Sequence, residues 1–276
     1  MWKANTSNKG SSWHGRLLVL CFVLIASHCA IADTCSAEDF KRRVSGESQC
    51  LLMRAYGSPA PKTLVVWLHG DLGAGGNANY HYPDAEASAV KFGKFDVLAI
   101  ALVRPGYPDG SGESSGVSFL HGGRSDHHTN ENLLQVGAAI ERLKSHYKAD
   151  RVIAVGHSGG ASTIASLLGL RPNLIDGAVL VACPCDMVQW RQGRKSWARS
   201  ENPISLVSRI AVGTKVIALT GERDDNTVPD LAVRYVRALT DRGLSASFQS
   251  IPGASHNGAF RAPEVSAALA ELLETR

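Results

Sequence analysis

Residues 151–160 read Arg-Val-Ile-Ala-Val-Gly-His-Ser-Gly-Gly (RVIAVGHSGG). The run Val152 to Val155 is apolar without alternation, the pattern of a strand covered on both faces. Gly156-His157-Ser158-Gly159-Gly160 then fits G-x-S-x-G, and residues 159–170 form an apolar helical stretch. A serine between a buried strand and a helix sits at the tip of a sharp turn. Its hydroxyl is lifted above the sheet, and small residues on either side let strand and helix approach each other. The helix N-terminus presents unpaired N–H groups toward negative charge that develops there. Ser158 is the candidate nucleophile.

Working outward, the chain alternates strand and helix. Strands are expected at 50–56, 63–68, 96–102, 151–155, 177–182, 214–220 and 246–251, and the middle five are near-continuous apolar runs. Helices are expected at about 83–92, 129–148, 159–170, 229–242 and 262–274. In the second, Leu133, Leu134, Val136, Gly137, Ile140, Leu143 and Tyr147 share one face. This β-α alternation implies an α/β fold, a doubly wound and mostly parallel sheet. A single domain over 33–276 is expected, with a short cap insertion at about 183–210.

Such sheets carry their chemistry on loops at the carboxyl ends of the strands. A serine hydroxyl needs a base within hydrogen-bond reach. His256 follows the last strand, and Asp224 follows the strand before it, giving the chain order Ser, Asp, His. His256 is expected to take and return the proton. Asp224 is expected to fix the imidazole tautomer and stabilise its cation. Asp225 is the runner-up for the acid, and Glu222 a distant third, because only one of two adjacent loop carboxylates can face the ring. For the oxyanion the expected donors are the N–H groups of Gly159 and of Asp71 in His69-Gly70-Asp71-Leu72, with Leu72 next. The Asp71 carboxylate is expected to turn away and bond within loop 73–76. Arg104 and Tyr107, on the loop after strand 96–102, are expected to rim the pocket and touch substrate.

Other features carry less. Cys183-Pro184-Cys185 reads as a structural turn, since neighbours two apart are poorly placed to bond to each other. Residues 186–202, with Trp190, Arg191, Arg194, Lys195, Trp197 and Arg199, read as a solvated basic helix, or else as a short cap favouring an anionic or aromatic substrate. Asp126-His127-His128 reads as the cap of the helix that follows.

Composition bounds the function. The chain has 276 residues, 44% of them hydrophobic and 20% charged, which excludes disorder. A net charge of +4 without a Lys/Arg-rich run argues against a nucleic-acid partner. No metal-ligand spacing occurs among the ten His. The first 16 residues carry Lys3, Lys9 and Arg16 and no acid. An apolar run at 17–26 and Ala30-Ile31-Ala32 follow. That order predicts a secretory signal peptide over 1–32, with cleavage before Asp33 and export to the periplasm or medium. The run is too short to span a membrane, which takes about 20 residues. Without 1–32 the chain is close to neutral and retains Cys35, Cys50, Cys183 and Cys185. In an oxidising compartment Cys35 and Cys50 are expected to pair and tie down the new N-terminus.

Four segments together carry a family resemblance: Trp67-Leu68-His69-Gly70-Asp71, Gly156–Gly160, Gly221-Glu222-Arg223-Asp224-Asp225 and Gly253-Ala254-Ser255-His256-Asn257-Gly258. Over about 50–275 the sequence resembles the α/β-hydrolase superfamily, most closely its prolyl-oligopeptidase-like and dienelactone-hydrolase-like branches. The resemblance implies a Ser-His-Asp hydrolase that needs no cofactor. Prolyl oligopeptidases carry a large accessory domain for which this chain has no length, and dienelactone hydrolases use Cys where Ser158 stands, so neither branch's substrate is carried over. The expectation is an exported serine hydrolase acting on a small ester or a short peptide. The alternatives are a peptidase of the prolyl-oligopeptidase type, a non-catalytic binding or scaffold protein on the same fold, and a lyase or acyltransferase using the same three residues.

Overall fold

The computed structural model describes residues 35–73, 75–116 and 127–275. The expected signal peptide and Asp126 lie outside them. Eight strands form one sheet in the order β1-β2-β4-β3-β5-β6-β7-β8. They are β1 (Arg43–Ser45), β2 (Cys50–Gly57), β3 (Thr63–Leu68), β4 (Val97–Leu102), β5 (Arg151–His157), β6 (Gly177–Val181), β7 (Lys215–Gly221) and β8 (Ser245–Ile251). β1 and β2 run antiparallel to their neighbours, and every other pair is parallel. The helices are α1 (Tyr82–Lys91), α2 (Asn130–Tyr147), α3 (Gly159–Leu170), α4 (Met187–Trp190), α5 (Pro229–Thr240), α6 (His256–Phe260) and α7 (Pro263–Glu274).

Strand alternation splits each apolar run between two cores. Leu64, Val66 and Leu68 of β3, with Val152 and Ala154 of β5, pack under Leu133, Ile140, Ile164, Leu167 and Tyr235 of α2, α3 and α5. Val65, Trp67, Ile153 and Val155 face the other way, against Ala85 and Ala89 of α1 and Val265, Leu269 and Leu272 of α7. Both faces are covered, so the strands show no polar alternation. Each large aliphatic side chain so buried contributes about 2 kcal/mol.

Local chemistry sets the helix ends. Pro229 and Pro263 open α5 and α7 at the first helical position, where a missing N–H costs nothing. Thr129 caps α2 by accepting from the Asn132 N–H, so the cap is Thr129 and not the preceding Asp-His-His. His127 and His128 are buried instead.

The segment between β6 and β7 differs from expectation. Its only α-helix among the described residues is the four-residue α4. Trp190 and Trp197 are buried with Met187 and Leu231, so the stretch is not a solvated basic helix. Arg191 lies over both indole rings, 5.2 and 4.5 Å from their centroids. Cys183 and Cys185 are disulfide-bonded, contrary to the reading as a plain turn. The chain folds back at Pro184 to bring their Cα atoms to 5.1 Å, inside the bridging range. Cys35 and Cys50 are bonded as expected, which fastens residue 35 to the first residue of β2.

Candidate active site

Ser158 stands where β5 gives way to α3. Its φ of 52° and ψ of −117° put a non-glycine residue in a sparsely populated region, the strain of a sharp strand-to-helix turn. The motif glycines are there for space. A Cβ at Gly156 would sit 2.6 Å from the Ala161 nitrogen, and one at Gly160 would reach 2.5 Å from the His69 carbonyl oxygen.

The structure brings the three separated residues together. His256 Nε2 is 3.0 Å from Ser158 Oγ, and His256 Nδ1 is 2.8 Å from Asp224 Oδ2. A carboxylate only accepts, so Nδ1 carries the hydrogen and Nε2 offers its lone pair to the serine hydroxyl. Asp225 is exposed, whereas Asp224 is buried and is the one of the two that lies against the His256 ring. The Asp224 carboxylate also accepts from the Asn226 N–H at 3.0 Å and the Thr227 N–H at 2.8 Å. The Thr227 hydroxyl lies 2.8 Å from its second oxygen. Burial by itself raises the Asp224 carboxyl; the hydrogen bonds from His256 and Thr227 outweigh it and hold the group below the usual carboxylate range. Thr227 was not legible in the sequence, where it is one polar residue in a polar loop. His256 opens the short helix α6, capped by Ser255, where the sequence suggested a plain loop.

Asp71 departs from its expected orientation. Its side chain is 2% exposed and, among the described residues, bonds to other partners than loop 73–76. Oδ1 accepts from Arg104 Nη2 at 2.6 Å and from the Tyr107 hydroxyl at 3.0 Å, and Oδ2 is 3.5 Å from His128 Nε2. Burial would raise this carboxyl, but the Arg104 charge and His128 hold it well below the usual range. The carboxylate fills the space a side chain at Gly159 would need. Arg104 and Tyr107 therefore do not rim the pocket. Both are buried beneath it, with the guanidinium 4.7 Å from the phenol ring centroid. A polar residue on a loop after a strand reads the same whether it faces substrate or anchors the neighbouring loop. Among the described residues, no protein acceptor takes the Asp71 or Gly159 N–H.

Above Ser158 lies a cleft of about 510 Å³ walled by Asp71, Leu72, Tyr80, His157, Asn226, His256, Phe260 and Arg261. No residue of 183–210 lines it. That segment reaches the site indirectly, through the Trp190 indole N–H donating to the Asn226 carbonyl at 2.8 Å. Among the described residues, no cluster of three or more His, Cys, Asp or Glu is arranged to hold a metal ion, and no helix is long and apolar enough to cross a membrane.

The fold and residues can be set beside known proteins. The prolyl oligopeptidase family profile matches residues 107–274, more than half of the chain. No curated protein sequence matches it. Est1E from Butyrivibrio proteoclasticus, solved with ferulic acid, has a TM-score of 0.65 at 14% identity, covering 84% of this chain and 97% of that one. A puromycin-hydrolyzing peptidase from Mycobacterium tuberculosis has a TM-score of 0.64 at 18% identity, covering 84% of this chain but 38% of that one. The Pyrococcus furiosus esterase Pf2001 has a TM-score of 0.61 at 17% identity, covering 84% and 90%. With the sheet order and the strained serine turn already in place, these matches identify the chain as a member of the prolyl oligopeptidase family within the α/β-hydrolase superfamily, a serine hydrolase of esterase or peptidase-like type.

Proposed function

We propose that the chain is an exported hydrolase that cleaves a carboxylic ester through an acyl-enzyme on Ser158. The observation that carries this reading is the continuous hydrogen-bonded row from Asp224 through His256 to Ser158, at 2.8 and 3.0 Å. In it, Ser158 Oγ attacks the carbonyl carbon while its proton passes to His256 Nε2. The Asp71 and Gly159 N–H groups receive the oxyanion, each donor contributing about 3 kcal/mol to the transition state. Collapse of the tetrahedral species expels the alcohol, which takes the proton from His256. A water then gives its proton to the same nitrogen and attacks the acyl carbon; collapse of this second tetrahedral species breaks the bond to Ser158 Oγ, which takes the proton back from His256 Nε2 as the acid leaves. Asp224, held ionised, stabilises the imidazolium at both steps.

A second reading, cleavage of a short peptide or amide, is favoured by the family match. The same residues serve it, with an amine as leaving group. Export is supported by the leader pattern of residues 1–32 and by the Cys35–Cys50 bond, since disulfides persist in oxidising compartments. The test is a panel of p-nitrophenyl esters of graded acyl length beside aminoacyl-p-nitroanilides, with Ser158→Ala as the control. Turnover of short esters that vanishes in S158A is the expected result. Turnover of the anilides alone selects the peptidase reading. No turnover of either by the folded protein selects a non-catalytic binding role.

A further inference from the structure

Tyr80 lies just before α1, on a segment that supplies none of the residues named for the chemistry. Its hydroxyl accepts from the Gly70 N–H at 2.5 Å and donates to His157 Nδ1 at 2.7 Å. The His157 Nε2–H then donates to the His256 carbonyl oxygen at 3.2 Å. Each donor in this line has one acceptor, and the line closes only if His157 is neutral with its hydrogen on Nε2. Burial, with the neighbouring His256, lowers His157 to about 4, and burial raises the Tyr80 phenol to about 12, so both keep the required state near neutrality.

The line joins three separate loops. Gly70 adjoins Asp71, whose N–H is assigned to the oxyanion. His157 adjoins Ser158. The His256 carbonyl belongs to the residue that carries the base. Aromatic packing holds the same parts: Phe260 of α6 stacks on His157 at 4.9 Å and meets Tyr80 edge-on at 5.7 Å. We infer that Tyr80 and His157 are positioning residues, a two-residue clasp that sets the oxyanion loop, the nucleophile turn and the base-bearing helix in register for acylation of Ser158. The inference rests on the proposed role of Ser158. It also assigns the Gly70 N–H to structure, leaving the next N–H, that of Asp71, for the oxyanion.

Misplacing reacting groups by about 1 Å costs on the order of 100-fold in rate. The readout is the rate at which a fluorophosphonate phosphonylates Ser158, followed by intact mass, with kcat and KM on any ester the protein turns over. Tyr80→Phe removes one oxygen and keeps the ring against Phe260. His157→Leu removes both hydrogen bonds, and His157→Gln keeps a donor toward the His256 carbonyl. Phosphonylation and kcat are expected to fall about 10- to 100-fold in Y80F and H157L at nearly constant KM, with H157Q between H157L and wild type. The double variant Y80F/H157L is expected to be no slower than the slower single by more than about threefold, because one line is broken twice. A packing role alone would lower the melting temperature and leave the rate per folded molecule unchanged. Y80F within twofold of wild type, H157Q no faster than H157L, or losses that multiply in the double variant would each overturn the clasp while leaving Ser158 as nucleophile. A wild type that is not phosphonylated at Ser158 overturns the nucleophile, and the clasp with it.

Discussion

Replacing Arg104 with Met leaves the Asp71 carboxylate buried without its cation. The two side chains are 3% and 2% exposed and meet at 2.6 Å, so solvent cannot substitute for the guanidinium. Breaking a buried pair from one side costs about 3–5 kcal/mol, because the remaining charge stays desolvated. The Tyr107 hydroxyl at 3.0 Å still donates to Asp71, which favours the lower end. For a domain of this size each kcal/mol moves the melting temperature by roughly 2–4 °C, so R104M is expected to melt about 6–12 °C lower. Guanidinium denaturation followed by Trp fluorescence measures the free energy directly. Asp71→Asn in the R104M background removes the orphaned charge and is expected to recover most of the loss. The pH dependence has a definite sign. Arg104 depresses the folded pKa of Asp71, so the stability it adds is present above the ordinary carboxyl range and disappears as pH falls through the depressed value. Without Arg104, His128 and the Tyr107 hydroxyl remain but burial is less opposed, so Asp71 takes up a proton at higher pH than in the wild type and the deficit of R104M shrinks as pH falls. A loss under about 1 kcal/mol, or a deficit independent of pH, would refute the assignment of Asp71–Arg104 as the anchor of this loop.

Two further outcomes follow from the same structure. Burial lowers His69 well below the ordinary histidine range, and lowers His81 to about 3 and His127 and His157 to about 4. The unfolded chain protonates these rings below about pH 6.5, while the folded chain resists until lower pH, so each ring subtracts up to about 1.4 kcal/mol per pH unit across that window. Stability is expected to drop by on the order of 7 kcal/mol between pH 7 and pH 5, and a denaturation midpoint that stays flat over that interval would contradict it. Asp224→Asn should lower kcat by about 10⁴-fold through the wrong imidazole tautomer. Asp225→Asn, altering an exposed side chain, should leave it within about twofold; equal effects in the two variants would reopen the choice of acid.

The parts that were legible share a physical origin. β3, β5 and β6 declare themselves because burial on both faces leaves only apolar residues, and the nucleophile turn follows because only small residues fit around Ser158. Asp224 was legible as a polar residue just after the buried strand β7, whereas β8 is a largely exposed edge strand and His256 was marked by its place after the last strand in the order Ser, Asp, His. β1 was missed because three residues carry no periodicity, and it is held by pairing with β2. Arg104 and Tyr107 were placed on the wrong side of their loop, since burial of a charged side chain depends on a partner, Asp71, that sits 33 positions away. The 186–202 stretch looked solvated because its charges hid Trp190 and Trp197, whose burial comes from Met187 and Leu231. Tyr80 gave no signal at all. Its role arises from where α1 begins relative to Gly70 and His157, a relation that exists only in three dimensions.

The most direct test is to treat the folded protein with one equivalent of a fluorophosphonate at neutral pH and locate the adduct by peptide mass. A single phosphonyl group on Ser158, absent from Ser158→Ala and strongly slowed in His256→Ala, is the expected result. A protein that stays unmodified while folded, or an adduct on any other residue, would contradict the account.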